Sequence, residues 1–175
     1  PDTWSEAFIT KWVTADDIEV LYNKADADYL RGQSLSYFPY GYDSAKKKIA
    51  KAKILLVGAG GLGSPAALYL AAAGVGRIGL IDSDVVDLTN LQRQIAHTVS
   101  RIGELKAVSV RQAVAALNPD VEVVPVTQRA DAELLDHLVL QADLVLDCTD
   151  NFATRHAINR ACVMHRKPLV SGAAI

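Results

Sequence analysis

The chain has 175 residues, half of them hydrophobic and few aromatic, with a formal charge of −2. That length holds one α/β domain with a full core plus an N-terminal appendage, and the charge gives no support to a nucleic-acid surface or a basic membrane-binding face. Cys148 and Cys162, the two cysteines, make neither a disulfide framework nor zinc spacing, so a reduced, cytoplasmic setting is the expectation.

Residues 1–42 read as a helical and loop segment. Trp4, Phe8 and Trp12 recur at four-residue spacing, and a second helix pattern follows Thr14-Ala15-Asp16-Asp17, a capping sequence. No signal peptide is evident, because Glu6 interrupts the first apolar residues. Gly32, Pro39 and Gly41 among aromatics mark a loop. From residue 43 the pattern changes, and residues 43–175 read as a nucleotide-binding domain. Asp43 to Lys53 is a lysine-rich helix pattern whose charges fit a solvated face.

Ile54-Leu55-Leu56-Val57 is an apolar run without alternation, as in a strand covered on both faces. It ends in Gly58-Ala59-Gly60-Gly61-Leu62-Gly63, and a helix pattern over Pro65–Ala73 follows. Gly58, Gly60 and Gly63 match G-x-G-x-x-G in its strand–turn–helix setting, where bare backbone N–H groups and a helix N-terminus can hold phosphate. Ser64 is the expected cap and Pro65 fits the first turn. The apolar region from Ile54 to Ile81 is broken by this turn, Pro65, Gly74, Gly76 and Arg77, so it is no membrane span.

The next predicted elements are a strand over Arg77–Asp82, a helical turn over Thr89–Gln94 and a helix over Glu104–Leu117 stopped at Asn118-Pro119. A strand over Val121–Val126, a helix over Ala132–Leu140, a strand over Asp143–Asp147, a helix over Phe152–His165 and a strand over Leu169–Ser171 complete the series. Strands spaced by helices predict a Rossmann-like α/β fold, its sheet mostly parallel with helices on both faces and ligands beyond the strands' C-terminal ends. The chain ends on an apolar strand pattern with no closing helix, which reads as a C-terminally truncated piece of a longer protein.

Asp82 ends the second strand 19 residues after Gly63, close to where an acid meets a ribose hydroxyl, and Asp147 and Asp150 end the fourth. Arg93 and Lys106 stand on separate elements near the glycine turn, so two cations could converge on a polyphosphate. Asp150 is a hard oxygen ligand suited to Mg²⁺ when phosphates complete the shell; its alternative role is to cap the helix that follows. Cys148 and Cys162 read as small buried residues.

Taken in order, Gly58-Ala59-Gly60-Gly61-Leu62-Gly63-Ser64-Pro65, Asp82-Ser83-Asp84, Asn90-Leu91-Gln92-Arg93-Gln94, Lys106, Asn118-Pro119, Asp147-Cys148-Thr149-Asp150-Asn151 and Ser171-Gly172-Ala173 closely resemble the HesA/MoeB/ThiF family. These are bacterial adenylyltransferases related to ubiquitin-activating enzymes, and the resemblance runs from about residue 41 to the end. It implies that ATP adenylates the C-terminal glycine of a ubiquitin-like sulfur-carrier protein, releasing pyrophosphate. By motif position Asp82 would bind the ribose, Asn90, Arg93 and Lys106 the phosphates, and Asp150 would hold Mg²⁺. Gly61 and its neighbours would line the pocket, with Asp84 and Gln94 in the same nucleotide-binding set. The resemblance also implies a homodimer, and Zn²⁺ only in a C-terminal part downstream of Ser171-Gly172-Ala173. Family members usually carry Arg-Tyr-x-Arg-Gln before the first strand; here Arg31-Gly32-Gln33-Ser34-Leu35 places Ser34 where the second arginine stands. An NAD-dependent oxidoreductase and a non-catalytic nucleotide-binding docking module are the alternatives.

Overall fold

The structure is a computed structural model, and it describes residues 46–173. The expectations for the two N-terminal helices and for Arg31 and Ser34 lie outside the described residues. Five strands form one parallel sheet: β1 (Lys53–Val57), β2 (Arg77–Ile81), β3 (Glu122–Val126), β4 (Leu144–Asp147) and β5 (Leu169–Ser171). The helices between them are α1 (Gly63–Ala72), α2 (Lys106–Leu117), α3 (Ala132–Gln141) and α4 (Phe152–His165). The predicted Rossmann-like α/β architecture is therefore observed. Residues 46–49 are helical, with Lys46, Lys47 and Lys48 exposed as a solvated face.

The strand order is β3-β2-β1-β4-β5. The chain winds outward in one direction from β1 to β3 and then crosses back to β4 on the other side of β1. The crevice between the C-terminal ends of β1 and β4 is thus the switch point where such sheets bind ligands. The registers Val57↔Ile81 and Val57↔Asp147 bring the glycine turn, Asp82 and the β4 end to one level.

Alternation along the strands splits the core in two. Ile54, Leu56, Ile78 and Leu80 face α1 and α2, packing on Ala67, Ala71, Val110 and Val114. Leu55, Val57, Ile81 and Val145 face α3 and α4, packing on Leu135, Val139, Ile158 and Cys162. Because β1 is central and has core on each side, its sequence shows no polar alternation. In β3, at one edge of the sheet, Val123, Val124, Pro125 and Val126 are all half-buried, without alternation.

Candidate nucleotide site at the switch point

The glycines divide into two kinds. Gly58 has φ +98, in the left-handed region, and a Cβ there would stand 2.8 Å from the Cys148 carbonyl oxygen. A Cβ on Gly63 would be driven into the Gly58 carbonyl, so this glycine lets α1 begin against the end of β1. Gly60 and Gly61 have no such constraint. A Cβ at Gly60 would meet only the Gln94 Nε2 at 3.8 Å, and at Gly61 only the Arg93 side chain, nearest at 3.6 Å. Among the described residues no acceptor takes the N–H of Gly60, Gly61 or Leu62. The helix start itself has no side-chain cap. Unpaired donors, a helix dipole and open space above bare backbone make an anion-binding turn.

The expected cap is corrected here. Ser64 is inside α1 and fully buried, and its Oγ donates to the Ala59 carbonyl at 3.0 Å. Its hydroxyl folds the turn back on itself, leaving the helix N-terminus free.

Asp82, just past β2, accepts the Ala59 N–H at 2.7 Å on Oδ2 and the Asp84 N–H at 2.8 Å on Oδ1. Each oxygen retains a lone pair for a sugar hydroxyl. Asp84 in turn accepts from Lys106 Nζ at 3.0 Å, while the Lys106 N–H donates to the Asp84 carbonyl at 2.8 Å. Lys106 is 7% exposed, so it is not solvated surface charge. Asp84 orients this ammonium at the start of α2.

Asn90 lies in a 3₁₀ turn (Leu88–Asn90), and its carbonyl accepts the N–H groups of Arg93 and Gln94, aiming both side chains at the glycines. Arg93 is exposed, its guanidinium reaching only the Thr89 carbonyl, at 3.4 Å, among the described residues. Gln94 is 3% exposed and its Oε1 has no partner among the described residues. A buried amide oxygen without a donor costs on the order of 1–3 kcal/mol, and it is the Nε2 of the same amide that faces Gly60. These residues fit a nucleotide triphosphate.

At β4 the two acids behave differently. Asp147 is 1% exposed and points inward, accepting Thr149 N–H at 3.0 Å, Thr149 Oγ1 at 2.7 Å and Ser171 Oγ at 2.8 Å. Both acids stand at the β4 end as expected, but alternation turns Asp147 into the sheet, where its bonds tie β4 to β5. Asp150 is exposed and makes no hydrogen bond among the described residues. Nor does it cap α4; Asn151 does, its side chain accepting from Thr154 N–H at 3.2 Å. Asp150 thus keeps both oxygens free, as a hard-cation ligand must. Among the described residues no three His, Cys, Asp or Glu side chains gather as a metal site, so a Mg²⁺ ion here would draw its other ligands from phosphates and water. No helix of the described residues is long and apolar enough to cross a membrane.

Several supporting residues have no sequence signal of their own. Arg155, one turn into α4, donates to the carbonyls of Thr149 and Gly172 (2.6 Å for the latter) and to Ser171 Oγ at 3.3 Å, clamping the β4 and β5 ends. Behind the glycine turn, His97 Nε2 meets the Ala59 carbonyl at 3.2 Å and its Nδ1 meets Ser109 Oγ at 2.9 Å. Burial holds this imidazole below its usual 6.5; Lys106 and Arg101 add to the depression, while the Ala59 bond and Asp82 oppose it. Burial, helped by Asp147, pushes the Cys148 thiol up to about 11.

A parallel sheet in this order, with an open glycine turn beside its switch point, defines a Rossmann-like protein with a nucleotide site. Residues 34–175 match the ThiF family, and the chain belongs to that family. The adenylyltransferase and sulfurtransferase MOCS3 of Anopheles gambiae is 51% identical over 128 residues, 73% of this chain and 29% of that protein. The sulfur carrier protein ThiS adenylyltransferase of Escherichia coli is 48% identical over 130 residues, 74% of this chain and 52% of that one. The chain thus spans between about a third and a half of these relatives' length. Among solved structures, E. coli tRNA N6-threonylcarbamoyladenosine dehydratase (TcdA) in complex with ATP superimposes with TM-score 0.71 at 33% identity, covering 75% of this chain and 54% of that one. E. coli MccB with AMPCPP gives TM-score 0.71 at 26% identity, covering 78% and 42%.

Proposed function

We propose that the protein binds ATP and adenylates the C-terminal carboxylate of a ubiquitin-like sulfur-carrier protein, releasing pyrophosphate. The observation that carries this is the uncapped turn at Gly60 and Gly61, covered by the Arg93 side chain, with the exposed Asp150 following the end of β4, the strand paired with β1. A dinucleotide needs the glycines and Asp82 alone. A triphosphate also calls for separate cations and a metal-ligand acid, and these are present. The names of the relatives agree: one adenylates the sulfur carrier ThiS, and others are adenylyltransferases and sulfurtransferases.

In this reading Asp82 holds the ribose, and the Gly60 and Gly61 N–H groups with Arg93, Asn90, Gln94 and Lys106 hold the phosphates. Asp150 would hold Mg²⁺, which would neutralise charge on the polyphosphate. The carrier's carboxylate attacks the α-phosphorus in line and pyrophosphate departs. No protein base is required, because a carboxylate is already ionised at neutral pH. Arg93 and the Asp84-oriented Lys106 stabilise the charge that develops on the leaving group. Residues 43–175 form the adenylation domain with residues 1–42 appended, the working protein is a cytoplasmic homodimer, and Zn²⁺ belongs to a more C-terminal part.

The test is ATP–pyrophosphate exchange in the intact enzyme with a ThiS-like carrier. Exchange should require the carrier, and Lys106→Ala or Asp150→Ala should lower it on the order of 10²–10³-fold or more. Near-normal exchange in either variant would remove that residue from the chemistry, and carrier-independent exchange would point to another acceptor.

A further inference from the structure

We propose that His97 is a positioning residue for the phosphate-binding turn, holding the Ala59–Gly60 peptide so that the Gly60 N–H faces the ligand; this rests on the nucleotide reading above. The argument starts with the planarity of the peptide unit. The Ala59 carbonyl and the Gly60 N–H belong to one trans peptide, and there is no cis bond among the described residues, so the two point in opposite directions. The carbonyl is pulled inward by two buried donors, Ser64 Oγ at 3.0 Å and His97 Nε2 at 3.2 Å. The Gly60 N–H is thereby turned outward, and among the described residues it finds no acceptor. On the other side of the same residue the Ala59 N–H is held by Asp82 at 2.7 Å.

Donor and acceptor roles fix the state of the imidazole. A carbonyl only accepts, so Nε2 carries the proton. Nδ1 then accepts from the Ser109 hydroxyl at 2.9 Å, and Ser109 Oγ accepts from Arg101 at 3.3 Å. Arg101 is anchored on the carbonyls of Ser109 at 2.6 Å and Ala96 at 3.1 Å. The relay runs one way, Arg101 to Ser109 to His97 to Ala59, and ends at the unpaired N–H of Gly60. His97 is 6% exposed and Ser109 is fully buried. Charged groups facing the ring are Arg101, Lys106 at the start of α2 and Asp82 at the end of β2. The turn and α1 contribute only uncharged groups, the Ala59 carbonyl among them.

The test uses His97→Leu, which removes the donor, and His97→Gln, whose terminal amide restores one near the Nε2 position. Leucine should weaken ATP–Mg binding about tenfold by isothermal titration, matching one lost buried hydrogen bond, and glutamine should recover most of it. In ¹⁵N-histidine NMR spectra, the His97 signal, assigned by its loss in either variant, should show a neutral ring protonated at Nε2. If His97→Leu does not fold, Ser109→Ala replaces it and should shift His97 toward a mixture of tautomers while weakening ATP. Wild-type binding with an indifferent His97→Leu, or an Nδ1-protonated ring, overturns the positioning role alone. Failure of the wild type to bind ATP–Mg instead overturns the nucleotide reading, and the tautomer spectrum still decides the relay.

Discussion

At the residue scale the four glycines of the turn are not equivalent. Gly58→Ala meets a left-handed φ of +98 and a carbonyl 2.8 Å away, so it should destabilise the protein by more than about 1 kcal/mol in urea denaturation. Gly61→Ala meets only the flexible Arg93 side chain at 3.6 Å. It should leave stability nearly unchanged and lower nucleotide affinity; equal stability loss in both variants would deny the distinction. Cys148 makes a second contrast. Burial raises its thiol from 9.0 to about 11, so at pH 8 its thiolate fraction is about a hundredth of an ordinary thiol's. Iodoacetamide should label Cys148 slowly in the folded protein and rapidly after unfolding, which fits a packing residue rather than a nucleophile.

At the element scale the start of α4 separates fold from chemistry. Asn151 caps the helix, and Asp150 beside it makes no hydrogen bond among the described residues. Asn151→Ala should therefore cost about 1 kcal/mol of stability. Asp150→Asn should cost almost nothing in thermal denaturation while suppressing pyrophosphate exchange. A large melting shift for Asp150→Asn would mean that it supports the helix after all. The β4 and β5 ends are held separately, by the inward Asp147 and by Arg155. The arrangement keeps the loop carrying Asp150 in place without using Asp150 itself.

At the scale of the molecule, the strand order sets the position of the site. Reversal between β1 and β4 opens the crevice at the C-terminal ends of the two central strands. The buried relay behind the turn gives the fold a pH dependence of known sign. His97 titrates below 6.5 when folded and near 6.5 when unfolded, so its stabilisation is complete above 6.5 and is lost as pH falls from there toward the folded value. Unfolding free energies between pH 8 and 5 should fall more steeply for the wild type than for His97→Gln. Parallel profiles would show that His97 does not stay neutral as the protein acidifies.

The alternation of apolar strands with helix patterns determined the fold class by itself, and the G-x-G-x-x-G turn with Asp82, Arg93, Lys106 and Asp150 outlined the site, because these signals are local and periodic. Only the tertiary structure decided which acids stay open to solvent. Asp147 and Asp150 are three residues apart and chemically alike, yet one is buried in hydrogen bonds to Thr149 and Ser171 and the other is free. It alone also showed Ser64 inside the helix, Lys106 paired with Asp84, and His97 behind Ala59. Those partners lie up to 38 residues apart in sequence, where no local pattern reports who meets whom.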